Sequence, residues 1–91
     1  MDEKSYFETL FFSLVTTFET NALIAMGKIS NPVTGKLEKD LDAAKMNIDI
    51  LRMIKDRTKN NLSEKEEKHL TAAITNLELN YVEELKLNGK S

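Results

Sequence analysis

The stretch Asp40 to Thr58, DLDAAKMNIDILRMIKDRT, constrains the fold more than any other part of the chain. Read as a helix at about 100° per residue, it gathers Asp42, Lys45, Asp49, Arg52 and Asp56 onto one narrow stripe. Their signs alternate, so each charge has an opposite neighbour one turn away. Nearly everything else is apolar: Leu41, Ala43, Ala44, Met46, Ile48, Ile50, Leu51, Met53 and Ile54. A surface helix buries a stripe a little over ~100° wide, and the apolar arc here is about twice that. Such a helix needs cover on two or three sides, from the rest of the chain or from a second copy of it. Asn47 is the one polar residue in the arc. It is either a half-exposed amide at a helix–helix edge or a buried one that fixes register or oligomeric state.

The flanking sequence supplies two more helices. Ser5 and Glu8 have the spacing of a capping box, which predicts a first helix over residues 6–26 with a frayed segment before it. Its main apolar face is Phe7, Leu10, Phe11, Leu14, Val15, Phe18, Ala22, Ala25 and Met26. The opposite face carries Thr9, Ser13, Thr16, Thr17 and Thr20, with Phe12 and Leu23 among them and few charges. It is either a hydroxylated surface or a second packing surface that small side chains open to another helix. Gly27 suits the left-handed residue that closes a helix. Lys28 to Lys39 is the one long connection. Asn31-Pro32 and Thr34-Gly35 are turn signals, and Ile29, Val33 and Leu37 are expected to lay it over the core.

Asp40 is the expected N-cap of the central helix over 40–59. Asn60 can take the left-handed conformation that ends it. Ser63 and Glu66 form another capping box and open a third helix over 64–86, with core face Leu70, Ala73, Ile74, Leu77, Tyr81 and Leu85. Residues 87–91 are expected to fray. A three- or four-residue link from Lys59 to Leu62 makes the second and third helices antiparallel neighbours.

Composition narrows function by exclusion. At 91 residues the chain forms a single helical domain with its core between about residues 6 and 86. The net charge of −2 gives no general attraction to nucleic acid or anionic membrane. Without cysteine there is no disulfide framework, thiol nucleophile or thiolate metal site, which is compatible with a reducing compartment. The acidic start MDEKSYFE does not resemble a signal peptide. Glu8, Glu19 and Asn21 interrupt the apolar run from Tyr6 to Met26, so no membrane insertion is expected.

Catalytic patterns are sparse. Glu66 and His69 have the Glu-x-x-His spacing by which carboxylate-bridged metal proteins present two ligands on one helix. A full site would need a second such pair from a dimer, and His69 has no nucleophile or orienting acid at recognisable spacing. Lys55, Arg57 and Lys59 cluster where cations favour the negative end of a helix dipole. No aromatic residue interleaves with them for base stacking.

Several elements together resemble a bacterial family known as domain of unknown function 1844. They are Asn31-Pro32 after Gly27, Ala44 with Ile48-Asp49 and Leu51, Lys55-x-x-Thr58-Lys59-x-Asn61-Leu62-x-x-x-Glu66, then Leu77 and Tyr81-Val82. The resemblance covers about residues 6 to 83. It implies a small bacterial helical protein with no assigned activity, and it draws attention to Thr58 and Asn61. Both can lock the central turn by bonding freed backbone groups, together with Ser63 and Glu66.

The expectation is thus an all-α, antiparallel three-helix bundle with a long first connection and a tight second turn, paired as a homodimer. Phe12, Leu23, Met46, Ile50 and Met53 are the expected interface, unless the long connection covers the excess apolar surface. The expected role is a cytoplasmic, non-enzymatic interaction or oligomerisation module without cofactor, with room for another protein partner. The alternatives are a metal site across the dimer using Glu66 and His69, and a nucleic-acid accessory protein.

Overall fold

The computed structural model describes residues 2–88. It contains α1 (Glu3–Ala25), α2 (Leu41–Arg57) and α3 (Glu64–Leu87), all packed against one another. Among the described residues there is no strand, only an isolated antiparallel bridge between Met26 and Lys39. The fraying expected for residues 89–91 lies outside the described residues.

The helix ends follow from local chemistry, with one correction. The N-cap of α1 is Asp2, whose Oδ1 accepts from the Ser5 amide at 2.7 Å. The helix therefore starts at Glu3, one turn before the expected Ser5–Glu8 box. A carboxylate at the cap satisfies a free amide and meets the positive end of the helix dipole. This leaves the Glu8 side chain free for a tertiary contact. The other end of α1 closes as expected at Gly27, with φ +76°. The Gly27 amide bonds the carbonyl of Ile24, and the Lys28 amide that of Leu23, the paired arrangement of a Schellman motif.

Asp40 caps α2 through Ala43 at 3.1 Å. Its own amide reaches the Ala25 carbonyl at 2.7 Å, so the start of α2 is pinned to the end of α1 and the two helices run antiparallel. Ser63 caps α3 with a complete capping box. Arg52 of α2 reaches Glu78 of α3, and Lys55 reaches Thr71, so these helices are also antiparallel. Pairs Glu8–Ser63, Phe12–His69 and Lys28–Glu84 rise together along α1 and α3, which therefore run parallel.

The buried core is Val15, Ala22 and Met26 from α1, Leu41, Ala44, Ile48 and Leu51 from α2, and Leu70, Ala73, Ile74 and Leu77 from α3. The 3-4-3 spacing of Leu41, Ala44, Ile48 and Leu51 is that of a bundle seam. Each fully buried aliphatic side chain contributes roughly 1.5–3 kcal/mol.

Three expectations about apolar surface are corrected. Phe7, Leu10 and Leu14, expected in the core, are 56%, 46% and 44% exposed. On the wheel they flank the Val15–Ala22 line on the α2 side, and two neighbouring helices do not reach that far round. Phe12 and Leu23, expected on a free second face, are half-buried instead. Phe12 lies 4.9 Å from the His69 ring, and Leu23 packs against the core. The long connection also does not lie over the bundle: Val33 is 91% and Leu37 65% exposed.

Candidate functional site

Three features stand out among the polar and surface residues. The first is a carboxylate at a core position. Leu70, Leu77 and Glu84 follow at seven-residue spacing on α3, and all three are buried. A buried carboxylate is costly unless charge-paired. Glu84 is doubly paired: Lys28 Nζ lies 2.7 Å from one oxygen and Lys39 Nζ 2.6 Å from the other. Lys28 directly follows the Gly27 turn, and Lys39 directly precedes the Asp40 cap. The acid thus ties both ends of the long connection to α3. Contacts with the two ammonium groups, Lys28 foremost, hold the Glu84 carboxyl below its ordinary range, and Glu84 in turn raises Lys28. A carboxylate so stabilised is a poor proton acceptor, and its geometry is that of a staple.

The second feature is the α2–α3 turn. Asn60 takes φ +69°. The Thr58 hydroxyl donates to the Ile54 carbonyl at 2.7 Å, and Asn61 Nδ2 to the Lys59 carbonyl at 3.3 Å. Ser63 Oγ accepts from the Glu66 amide at 3.1 Å, and Glu66 Oε1 accepts from the Ser63 amide at 2.7 Å. Ser63 Oγ also donates to Glu8 Oε2 at 2.8 Å, fastening the turn to α1. Glu66 is therefore committed to the cap. The His69 ring packs at a tilt against Phe12, with its Nε2 buried and without a hydrogen-bond partner. Among the described residues no three His, Cys, Asp or Glu side chains come together as a metal site.

Lys55 and Lys59 line a shallow cleft of about 300 Å³ with Arg52, Asp56, Leu62 and Glu67. The two acids offset most of its positive charge. The charged stripe of α2 is a ladder: Lys45 pairs with Asp49 at 2.8 Å, Asp49 with Arg52 at 2.9 Å, and Arg52 continues to Glu78. Asn47 is half-buried and donates to the Ala43 carbonyl at 2.9 Å. Thr9 and Thr17 bond back to the carbonyls of Ser5 and Ser13, so those hydroxyls are satisfied within α1.

The third feature is an exposed apolar face. Asn21 and Ala25 of α1 share a groove with Ala43 and Asn47 of α2. The flank of α1 bearing Phe7, Leu10 and Leu14 is thus the one next to α2. On α2, Met46 and Met53 are 62% and 48% exposed, with half-buried Ile50 between them. Sequence reasoning found the α2 half of this face and missed the α1 half.

Fold and surface together define a small antiparallel helical bundle with apolar side chains left open along α1 and α2. Residues 8–83 match the family described as Domain of unknown function (DUF1844), and the chain belongs to that family. No curated protein and no solved structure matches it. No helix of the described residues is long and apolar enough to cross a membrane.

Proposed function

We propose that this chain is a non-enzymatic helical interaction module that works as a homodimer. The observation that carries the reading is the open face of α1 and α2, where five large apolar side chains are 44–62% exposed. Exposed apolar surface on this scale marks an interaction site, and a closed two-fold pair is the commonest way to cover it. The accessible surface is 6205 Å², above the roughly 5,400 Å² of a compact monomer of 10.4 kDa, and the exposed connection over residues 28–40 shares in that excess with the open face.

The most developed polar constellations, around Glu84 and Ser63, tie elements of the fold together, which favours assembly over chemistry as the role. The reading places the chain in a bacterial cytoplasm, in keeping with its cysteine-free composition. Sedimentation at micromolar concentration tests the proposal. The wild type is expected at twice the monomer mass, and Leu14→Glu at the monomer mass with helical content retained. A wild type that sediments as a monomer throughout that range removes the reading.

A further inference from the structure

Along the outer face of α2 runs a stripe with acid at one end and base at the other: Asp42, Met46, Ile50, Met53 and Arg57. Asp42 and Arg57 are exposed and make no ion pair among the described residues. Turn this stripe end for end beside a second copy of itself, about an axis next to Ile50. Met46 then meets the partner's Met53, and Asp42 meets the partner's Arg57, each contact occurring twice. The pattern complements itself only when the helices are antiparallel, because parallel pairing sets Asp42 on Asp42 and Arg57 on Arg57.

We infer that a second copy docks here, α2 against α2 in antiparallel register, with Phe7, Leu10 and Leu14 closing the seam along its α1 side. The inference rests on the homodimer reading above and adds its surface, register and electrostatic code. Three aligned features support it: the outward apolar side chains of α2, the adjacent open flank of α1, and the opposite unpaired charges at equal distances from the centre. A two-fold interface requires such self-complementarity. Rim charges of this kind set register and partner choice more than affinity.

Cysteine cross-linking decides it, because the chain has no cysteine of its own. Facing helices at ~8–10 Å between axes bring opposed Cα atoms within disulfide reach. Under mild oxidation Ile50→Cys is expected to give a covalent dimer. Val82→Cys, on exposed α3 surface, is expected to stay uncoupled. If Ile50→Cys folds poorly, an equimolar mixture of Met46→Cys and Met53→Cys, both on exposed side chains, is expected to join the two unlike positions by peptide mapping. Asp42→Arg and Arg57→Asp are each expected to weaken the dimer by about tenfold, and both together in one chain to restore it. A dimer by sedimentation that cross-links through Val82→Cys and not through the α2 positions overturns this seam and leaves the homodimer reading standing. A dimer that cross-links at α2 but is not restored by the double charge exchange overturns the antiparallel register. A monomer under all conditions overturns both readings.

Discussion

Glu84 stands where the seven-residue spacing from Leu70 and Leu77 calls for an apolar side chain, and two ammonium groups make the exception tolerable. The consequence is a specific pH dependence. The carboxyl is held below its ordinary value of 4.5, so the folded state binds its proton less readily than the unfolded chain does. Its contribution is complete above about pH 4.5 and is lost as pH falls through the lowered folded value. Lys28, raised above 10.5, has the opposite sign: its contribution is complete below that value and disappears as pH rises through the raised one. We expect the thermal midpoint of wild type to fall on acidification below pH 4.5. Glu84→Gln should have a lower midpoint at pH 7 and a shallower acid slope. A Glu84→Gln midpoint equal to wild type at pH 7 would mean the staple contributes nothing to stability. Asp2 and Asp49, also lowered by hydrogen bonds to Ser5 and Lys45 respectively, keep some acid slope in the variant.

At the scale of elements, stability concentrates at the helix ends. Ser63 joins a complete capping box to a contact with Glu8 of α1. Ser63→Ala should therefore cost about 1–2 kcal/mol, the upper part of the range for a capping residue, measured by denaturant unfolding. Glu8→Gln should cost less, because the cap itself remains. Gly27 and Gly35 both have positive φ, yet their surroundings differ. A Cβ on Gly27 would come 3.1 Å from Lys39 Cγ, the side chain that reaches Glu84, whereas one on Gly35 meets nothing within 4 Å. The left-handed conformation costs a non-glycine residue roughly 1–2 kcal/mol. Gly27→Ala should cost at least that much, and more than Gly35→Ala. Equal losses would show that the Gly27–Lys39 contact carries no weight.

For the whole molecule, the three helices bury one seam and leave the outer α1–α2 face open. The two sides of α2 predict opposite mutational behaviour. Leu51 is fully buried in the seam, so Leu51→Ala should cost roughly 2–5 kcal/mol through lost transfer energy and an uncollapsed cavity. Met46 is 62% exposed, and Met46→Ala should change monomer stability by less than ~0.5 kcal/mol, with its effect appearing in the association constant. Denaturant unfolding at low and high protein concentration separates the two. A loss below ~1 kcal/mol at Leu51 would place it outside the core.

Local periodicity and cap chemistry act over one or two turns, so they were legible in the residues themselves. The apolar arc of Asp40–Thr58, the Gly27 and Asn60 stops, the Asp40 cap and the Ser63–Glu66 box all depend on neighbours within about four positions. They determined three helices, their ends within a few residues and the antiparallel hairpin of α2 and α3. Pairings across the bundle depend on how far each helix is rotated about its axis, which no local pattern specifies. Only the tertiary structure decided that Phe12 turns to His69 while Phe7, Leu10 and Leu14 remain open, because α1 must share its apolar girth between two partners. It alone brought Lys28 and Lys39, eleven residues apart in the chain, onto Glu84. In a chain that is 31% charged, one more glutamate on α3 carries no local mark of burial. That mark comes from the two cations folded over it.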